Sequence, residues 1–292
     1  MNRDRLSYSC TQVLLLTGIA SCFQRFNLLK NNNLLPLNRY MNPIGKNLTI
    51  LPTVDSTNNY AMAQLRAGLA SSGDVYLAME QTAGRGQRGN SWQTDPASNI
   101  AISIVFQPLT LPIARQFYLV AAVALGCHHF FSAVTGQEDA TIKWPNDLYW
   151  RDRKAGGILI ENIISADQWH WAVIGIGINI NQTHFAEHLP NPVSLKQITG
   201  KDWDVLDMTR QLCACIDLQL WQLEKNKELL LQQYNNVLYK KNQTVRLKKE
   251  TRIFEAQIKG VTNTGKLITQ TSIEELFDFG EIQWVKDDSI KK

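Results

Sequence analysis

The sequence predicts an α+β fold: a mixed β-sheet with helices on one face, followed by a small β-barrel-like module. Three observations carry that expectation. Short apolar runs bounded by Gly, Pro, Asn and Asp outnumber the helical stretches, as in a helix-covered sheet rather than a bundle. The segment Ala114 to Phe131 is apolar on most of its surface, which suits a helix lying against a sheet. After Lys240-Lys241-Asn242 helical periodicity stops and short strand-like runs take over, with Asn263-Thr264-Gly265 as a hairpin turn. These shifts divide the chain into an extension at 1–45, a main domain at 46–237 and a C-terminal module at 238–292.

The 292 residues give ample core for one large domain and a smaller one. With 44% hydrophobic and 19% charged residues, the composition is that of an ordinary soluble globular protein. A net charge of +4 suits anionic substrates but is too diffuse for a nucleic-acid-binding face. The five cysteines form no C-x-x-C pair, and Cys213 and Cys215 stand two apart in a helical stretch, where they do not face each other. Reduced structural thiols and a cytoplasmic location are expected.

Residues 1–45 do not fit the rest. Arg3 and Arg5 precede the apolar run Val13-Leu14-Leu15-Leu16, and Ile19-Ala20-Ser21-Cys22 has the outline of an export signal with a lipid-accepting cysteine. The run is short and interrupted, and Met41 offers a later start. A disordered extension or a gene-model artefact is the expectation, since everything downstream reads as cytoplasmic.

From Leu48 the elements follow in order. Thr49-Ile50-Leu51 reads as a strand. Asp55-Ser56-Thr57-Asn58 stands at a turn into a helix from near Asn59 to Gly68, and any of the four suits an N-cap. Val75 to Glu80 and Ile100 to Phe106 read as strands flanking Gln81-Thr82-Ala83-Gly84-Arg85-Gly86-Gln87-Arg88-Gly89-Asn90-Ser91-Trp92. Glycine lets backbone N–H groups approach a ligand, arginine binds carboxylate or phosphate, and Trp92 offers a flat face to a ring. The stretch reads as a loop closing over an anion.

His128 and His129 read as polar residues near the end of the long helix rather than metal ligands, because no carboxylate or Cys cluster accompanies them. Lys143-Trp144-Pro145-Asn146-Asp147 is a polar turn after a strand. Lys154-Ala155-Gly156-Gly157 opens another strand, and Trp169 to Ile174 leads to Gly175-Ile176-Gly177-Ile178-Asn179. His184 and His188 have metal-pair spacing but no third ligand, so a solvated helix is expected there. Val205 to Tyr239 reads as one or two amphipathic helices. Thr244–Leu247, Ile253–Lys259, Lys266–Thr269 and Ile282–Val285 read as strands.

Gly84-x-Gly86-x-x-Gly89 formally matches the dinucleotide fingerprint, but that motif opens a helix, and this loop runs on into Asn90-Ser91-Trp92-Gln93-Thr94-Asp95-Pro96. No P-loop Gly-Lys-Ser/Thr follows either. The loop instead resembles that of the biotin protein ligases, which activate biotin with ATP and attach it to a carboxylase subunit. Asp55 to Asn58, Gln81 to Gly86, Lys143 to Asp147, Lys154 to Leu159 and Gly175 to Asn179 resemble that family's successive motifs, in order, within residues 48 to 285.

The resemblance implies a catalytic domain related to class II aminoacyl-tRNA synthetases, an SH3-like C-terminal domain, ATP with Mg²⁺ as co-substrate, and biotin as substrate. It implies a biotin carboxyl carrier domain as partner, no membrane attachment, and a possible homodimer. The known relatives with a winged helix-turn-helix bind DNA; residues 1–45 hold no such pattern, so no specific DNA binding is expected. By the same resemblance Lys154 and Arg85 carry the catalytic charge. Ser56, Thr57, Asn58, Gln81, Gly84, Gly86 and Gln87 join Arg85 and Lys154 around biotin. Arg88, Trp92, Lys143, Asn146 and Asn179 serve the nucleotide, with Trp92 packing on adenine. Asp147 helps hold Mg²⁺ through water without being a ligand, and Trp144 and Pro145 fix the turn. Ile176 and Ile178 belong to the core.

The family often carries Arg where this chain has Gln87, and a basic residue where it has Asn90, so looser retention of the adenylate or greater reliance on Arg88 is expected. Lipoate–protein ligase is the nearest alternative, and a non-catalytic biotin- or adenylate-binding regulator the next. The polar Ser56-Thr57 and Gln81 favour a ureido ring over a dithiolane, and Lys154 and Arg85 favour catalysis.

Overall fold

Alternating residues on the central strands assign the two faces of a seven-stranded sheet. The computed structural model describes residues 43–285 apart from Asp167, His188 and Pro190. The strands are β1 (Leu48–Leu51), β2 (Val75–Ala78), β3 (Ile100–Phe106), β4 (Ala140–Lys143), β5 (Asp147–Trp150), β6 (Arg153–Ser165) and β7 (Gln168–Ile178). Their order is β1-β2-β3-β7-β6-β5-β4. β1 runs parallel to β2 and every other pairing is antiparallel, so the sheet is mixed.

Period-two alternation puts Ile100, Ile102 and Ile104 of β3 beside Ile178, Ile176 and Ile174 of β7. Val75 and Leu77 extend this row on one side, Ile158 and Ile160 on the other. These residues join the main core under the helices α2 (Phe117–Thr135), α4 (Val205–Lys225) and α5 (Lys227–Asn236); a short α3 (Leu195–Thr199) stands between α2 and α4 in the chain. Gly126 of α2 lets Ile216 of α4 approach so closely that a Cβ there would lie 2.8 Å from its Cα.

The other face is not bare. Helix α1 (Thr57–Arg66) packs there through Ala61 against Tyr76, Val105 and Val173. The expectation of helices on one face therefore holds for the three long core helices and fails for α1. The reason is the odd-numbered row: Ala101↔Gly177↔Gly157 and Ser103↔Gly175 are small residues in register across β3, β7 and β6. They leave space beside α1, and that space is the cleft described below.

The C-terminal sheet is antiparallel, ordered β11-β10-β9-β8-β12, from β8 (Thr244–Lys249), β9 (Arg252–Val261), β10 (Leu267–Gln270), β11 (Glu274–Phe277) and β12 (Gln283–Trp284). β11 has no counterpart in the expected strands, because Glu274 and Glu275 mask its apolar alternation. The hairpin turn at Gly265, with φ +91°, docks against Phe117, and its carbonyl accepts the indole N–H of Trp144 at 2.9 Å.

Ile44 is buried in the main core and Gly45 N–H bonds the Gly73 carbonyl, so residues 43–45 belong to the fold rather than to an extension. The export-signal, Met41 and disorder readings of the preceding residues lie outside the described residues, as does His188; Gln182 to Glu187 form no helix. Cys127, Cys213 and Cys215 are buried and in no disulfide among the described residues.

His128 departs from its expected role as a terminal polar residue. Helix α2 continues to Thr135, and His128 is buried with Nε2 donating to the Ala140 carbonyl at 3.0 Å, while Nδ1 has no partner. Burial holds its pKa below 6.5. The unfolded chain takes up the proton first, so stability is full above about pH 6.5 and falls as the pH drops toward the depressed folded value, by at most about 1.4 kcal/mol per unit. Urea midpoints at pH 7.5 and 5.5 check this: the acid-side loss should shrink in His128→Gln, which keeps a donor and cannot titrate.

Candidate active site

The cleft opens where α1, the glycine loop and the C-terminal module meet over the small-residue row of the sheet. It encloses about 380 Å³. Its floor is built from Ala101, Gly157, Gly175 and Gly177, whose period-two spacing on each strand turns the missing side chains to one face.

At one end stands the start of α1. Ser56 occupies the N-cap position, yet neither it nor its neighbours cap the helix by a side-chain hydrogen bond. Asp55 instead accepts from Asn59 Nδ2 at 2.6 Å, and this bond is the main cause holding its carboxyl below the usual range. Ser56, Thr57 and Asn58 are each under 5% exposed while lining the cleft, so their polar groups face a ligand-sized space rather than water. Thr57 donates its N–H and hydroxyl to Gln81 Oε1 at 2.9 and 3.2 Å, which leaves the Gln81 amide N–H groups for the cleft. Ser103 donates to Asn58 Oδ1 at 2.5 Å and lies 2.8 Å from Thr57 Oγ1. Sequence reasoning passed over Ser103; its signal is a hydroxyl in the otherwise apolar Ile-Ala-Ile-Ser-Ile-Val-Phe strand.

At the other end, Lys154 Nζ donates to Asp147 Oδ1 at 2.8 Å. Both side chains are a little over one quarter exposed, so the pair sits at the cleft wall in contact with solvent. Strand pairing puts Asp147 opposite Gly157, and no side chain there separates the two charges from the floor. Asn146 is buried and its amide bonds the Ile158 carbonyl. Lys143 donates to the Tyr149 hydroxyl at 3.3 Å and lies 4.9 to 5.8 Å from the ring centroids of Tyr149, Tyr239 and Trp284. Burial raises the Tyr149 phenol well above its ordinary value, so it stays protonated.

The roof is the glycine loop. Gly84 O accepts from Trp92 N–H at 2.9 Å, Arg85 bridges Ser91, and Gly86 N–H bonds the Asn90 carbonyl at 2.7 Å. Gln87–Gly89 forms a single tight turn with Arg88 in the left-handed region. Trp92 packs against Gly177, where a Cβ would fall 2.2 Å from the ring; its indole N–H is buried without a partner. Gln87 Nε2 reaches the Ile158 carbonyl at 3.3 Å and its Oε1 is buried unpaired.

Three expected site residues stand differently from their sequence-based roles. Asn179 does not line the cleft; buried behind it, its amide bonds the Val193 carbonyl at 3.1 Å and the Lys154 carbonyl at 3.5 Å, steadying the strand that carries Lys154. Gly84 does not line it either: a Cβ there would lie 2.2 Å from the Trp92 carbonyl, so its smallness lets the loop fold on itself. Arg85 lines the cleft with its guanidinium turned toward Glu161 (2.8 and 3.2 Å) and Asn59 (2.8 Å). Glu161 also accepts from Asn58 at 2.8 Å, and sequence reasoning missed it despite its being the one charged residue between Ala155 and Ile164. Every expected residue except Gly84 and Asn179 lines the cleft, joined by Phe279, Gln283 and Trp284 from the C-terminal module, whose sequence gave no reason to place them there. Asp147 is the sole carboxylate lining the cleft among the described residues, and no described cluster of His, Cys, Asp or Glu suits a metal. A single carboxylate with neighbouring amides is fewer oxygen ligands than a protein-built Mg²⁺ or Ca²⁺ cage uses.

Comparison with known proteins matches this geometry to one family. Residues 50–179 match the Biotin/lipoate A/B protein ligase family. The bifunctional ligase/repressor BirA of Escherichia coli (strain K12) is 35% identical over 147 residues, 50% of this chain and 44% of that protein. The biotin–[acetyl-CoA-carboxylase] ligase of Paracoccus denitrificans is 39% identical over 133 residues, 45% of this chain and 53% of that protein. The chain thus spans about half the length of the curated relatives it matches. Among solved structures, the biotin protein ligase from Aquifex aeolicus in complex with biotin and ATP superposes with a TM-score of 0.70 at 26% identity, covering 83% of this chain and 100% of that one.

Proposed function

We propose, for a chain that belongs to the biotin/lipoate A/B protein ligase family through residues 50–179, that it activates biotin with ATP and transfers it to a lysine of a carrier protein. The observation that carries this reading is the polarity of one cleft. Buried hydroxyl and amide groups stand at one end, a lysine–carboxylate pair at the other, and a glycine floor joins them. Biotin has the matching shape: a ureido ring with one acceptor and two donors, an apolar chain, and a carboxylate.

In this reading Ser56, Thr57 and Gln81 bind the ureido ring, and Asn58 holds Ser103 and Glu161 in place around them. Lys154 draws the biotin carboxylate toward the α-phosphate of ATP. A carboxylate oxygen forms the bond to that phosphorus, the bond to the β-phosphate breaks, and pyrophosphate leaves. Two anions must meet for this, so fixed positive charge is the main catalytic requirement. Asp147 keeps Lys154 pointed into the cleft until substrate oxygens take its place. Mg²⁺, arriving with ATP, neutralises phosphate charge. In the second step the carrier lysine amine attacks the acyl carbon, AMP departs, and the amine gives up a proton. The acceptor proposed is the carrier domain of a biotin-dependent carboxylase, in the cytoplasm, where the buried thiols stay reduced.

Incubating the protein with ATP, Mg²⁺, biotin and a carrier domain, then measuring carrier mass, tests the reading; no mass gain with both proteins folded would defeat it. Titration calorimetry with biotin and lipoate separates the two acids of the family, and tighter lipoate binding would reassign the substrate. Gln87 enters here as a second variable. Its neutral amide stands in the roof with Oε1 unpaired, and a charged hydrogen bond is worth about 1.5–3 kcal/mol. Gln87→Arg should therefore slow release of the acyl-adenylate by about tenfold or more. Release timed with labelled biotin checks it, and an unchanged rate counts against any part for this position.

A further inference from the structure

Phe279 is an exposed aromatic with an unusual covering. It lies between β11 and β12 of the C-terminal module, 47% exposed, and lines the cleft. The Arg88 guanidinium sits over its ring at 5.0 Å from the centroid. The Trp144 ring meets it edge-on at 5.8 Å and 78°. Gly280 follows with φ +97°, and a Cβ there would fall 1.5 Å from Arg88 Nη2, so the guanidinium passes directly over the backbone of this turn.

The cations of the roof and wall are held in two different ways. Arg85 is neutralised by Glu161 and Lys154 by Asp147. Arg88 has no carboxylate partner among the described residues; its side chain rests on an aromatic face. A π face holds a guanidinium in place without cancelling its charge. Arg88 also takes the left-handed backbone conformation, φ 57° and ψ 37°, which a non-glycine residue keeps only where its surroundings fix it. Arg88 therefore joins the loop to the Phe279-Gly280 turn of the C-terminal module, through a cation that stays available to an anion beneath it.

We propose that Phe279 is a positioning residue that latches the glycine loop shut by stacking on Arg88, and that this stack sets how long the acyl-adenylate is retained. The inference rests on the ligase reading above and adds to it a specific pair across the two modules. Opening the roof must break the stack, whereas the Arg85–Glu161 pair joins the loop only to its own domain. With Gln87 uncharged, the stacked Arg88 is the loop cation that faces the C-terminal side of the cleft.

The test uses the full chain. Wild type, Phe279→Ala, Phe279→Trp, Arg88→Gln and the double variant Arg88→Gln/Phe279→Ala are loaded with labelled biotin and ATP, and adenylate release is timed after an unlabelled chase. Phe279→Ala and Arg88→Gln should each release about fivefold faster. Phe279→Trp should restore slow release, and the double variant should be no faster than either single one, since both remove the same contact. Arg88 is exposed on a loop, so Arg88→Gln reads the latch even if Phe279→Ala folds poorly. An active wild type whose Arg88→Gln and Phe279→Ala releases match it overturns the latch alone, as does additive acceleration in the double variant. A wild type that forms no adenylate overturns the ligase reading and the latch with it.

Discussion

Replacing Lys154 by alanine is expected to lower biotin transfer to the carrier by about two to three orders of magnitude, the usual cost of removing one preorganised group from a developing anionic centre. The physical case rests on its position. Lys154 stands at the start of β6, its N–H donating to the Asn191 carbonyl, its carbonyl accepting from the Val193 N–H and the Asn179 amide, and its ammonium held by Asp147 at 2.8 Å. The pair is about one quarter exposed, so losing it should change stability little; partly solvated ion pairs are worth roughly 0–1 kcal/mol. Function and stability should therefore separate. Thermal melting and carrier mass gain, measured on the same Lys154→Ala sample, check both halves. Transfer within tenfold of wild type would remove Lys154 from the mechanism, and a collapse in melting temperature would make its role structural. Lys154→Arg keeps the charge but replaces a compact ammonium with a planar fork, so partial activity is the expected result.

The reach of the sequence follows from how local each feature is. Ile100–Phe106 was readable as a strand because six apolar residues, interrupted only by Ser103, stand between turn residues. The glycine segment was readable as a loop between two strands because it is dense in Gly and polar residues, and it lines the cleft. What escaped was whatever depends on two distant segments. Arg85 read as a free cation of the loop, but its partner Glu161 lies 76 positions away and no local pattern joins the two. Asn179 looked like part of the site because it ends the Gly-Ile-Gly-Ile run, yet β7 carries it past the cleft to the Val193 carbonyl. Helix α1 lies on the face opposite the other helices because small residues from three strands coincide in register, and no single strand announces that. Phe279 and Trp284 belong to a module whose sequence says only that it is β-rich; their place in the wall follows from docking, through Trp144 and Gly265.

The glycines of β7 give the second large effect, and a contrast that tests the cleft itself. Gly175 and Gly177 face the same side of the sheet two residues apart, but a methyl group at each meets a different kind of neighbour. At Gly175 it would lie 2.4 Å from Asn58 Oδ1. Asn58 is 3% exposed and fixed by Ser103, Glu161 and the first turn of α1, so it has nowhere to go. Gly175→Ala should cost about 1–3 kcal/mol by overpacking, lower the melting temperature by roughly 5 °C, and weaken biotin binding as the start of α1 shifts. At Gly177 the methyl would lie 2.2 Å from the Trp92 ring, which belongs to the glycine loop and is tied there by the Gly84 carbonyl. The ring can lift away with the loop, so Gly177→Ala should melt within about 1 °C of wild type and yet lose adenylate formation by about tenfold or more, because Trp92 no longer lies where the nucleotide needs it. Melting curves and ATP–pyrophosphate exchange on both variants decide the matter. Equal destabilisation by the two substitutions would mean that Trp92 is part of the rigid fold, and normal exchange in Gly177→Ala would mean that its seat on the glycine floor has no part in catalysis.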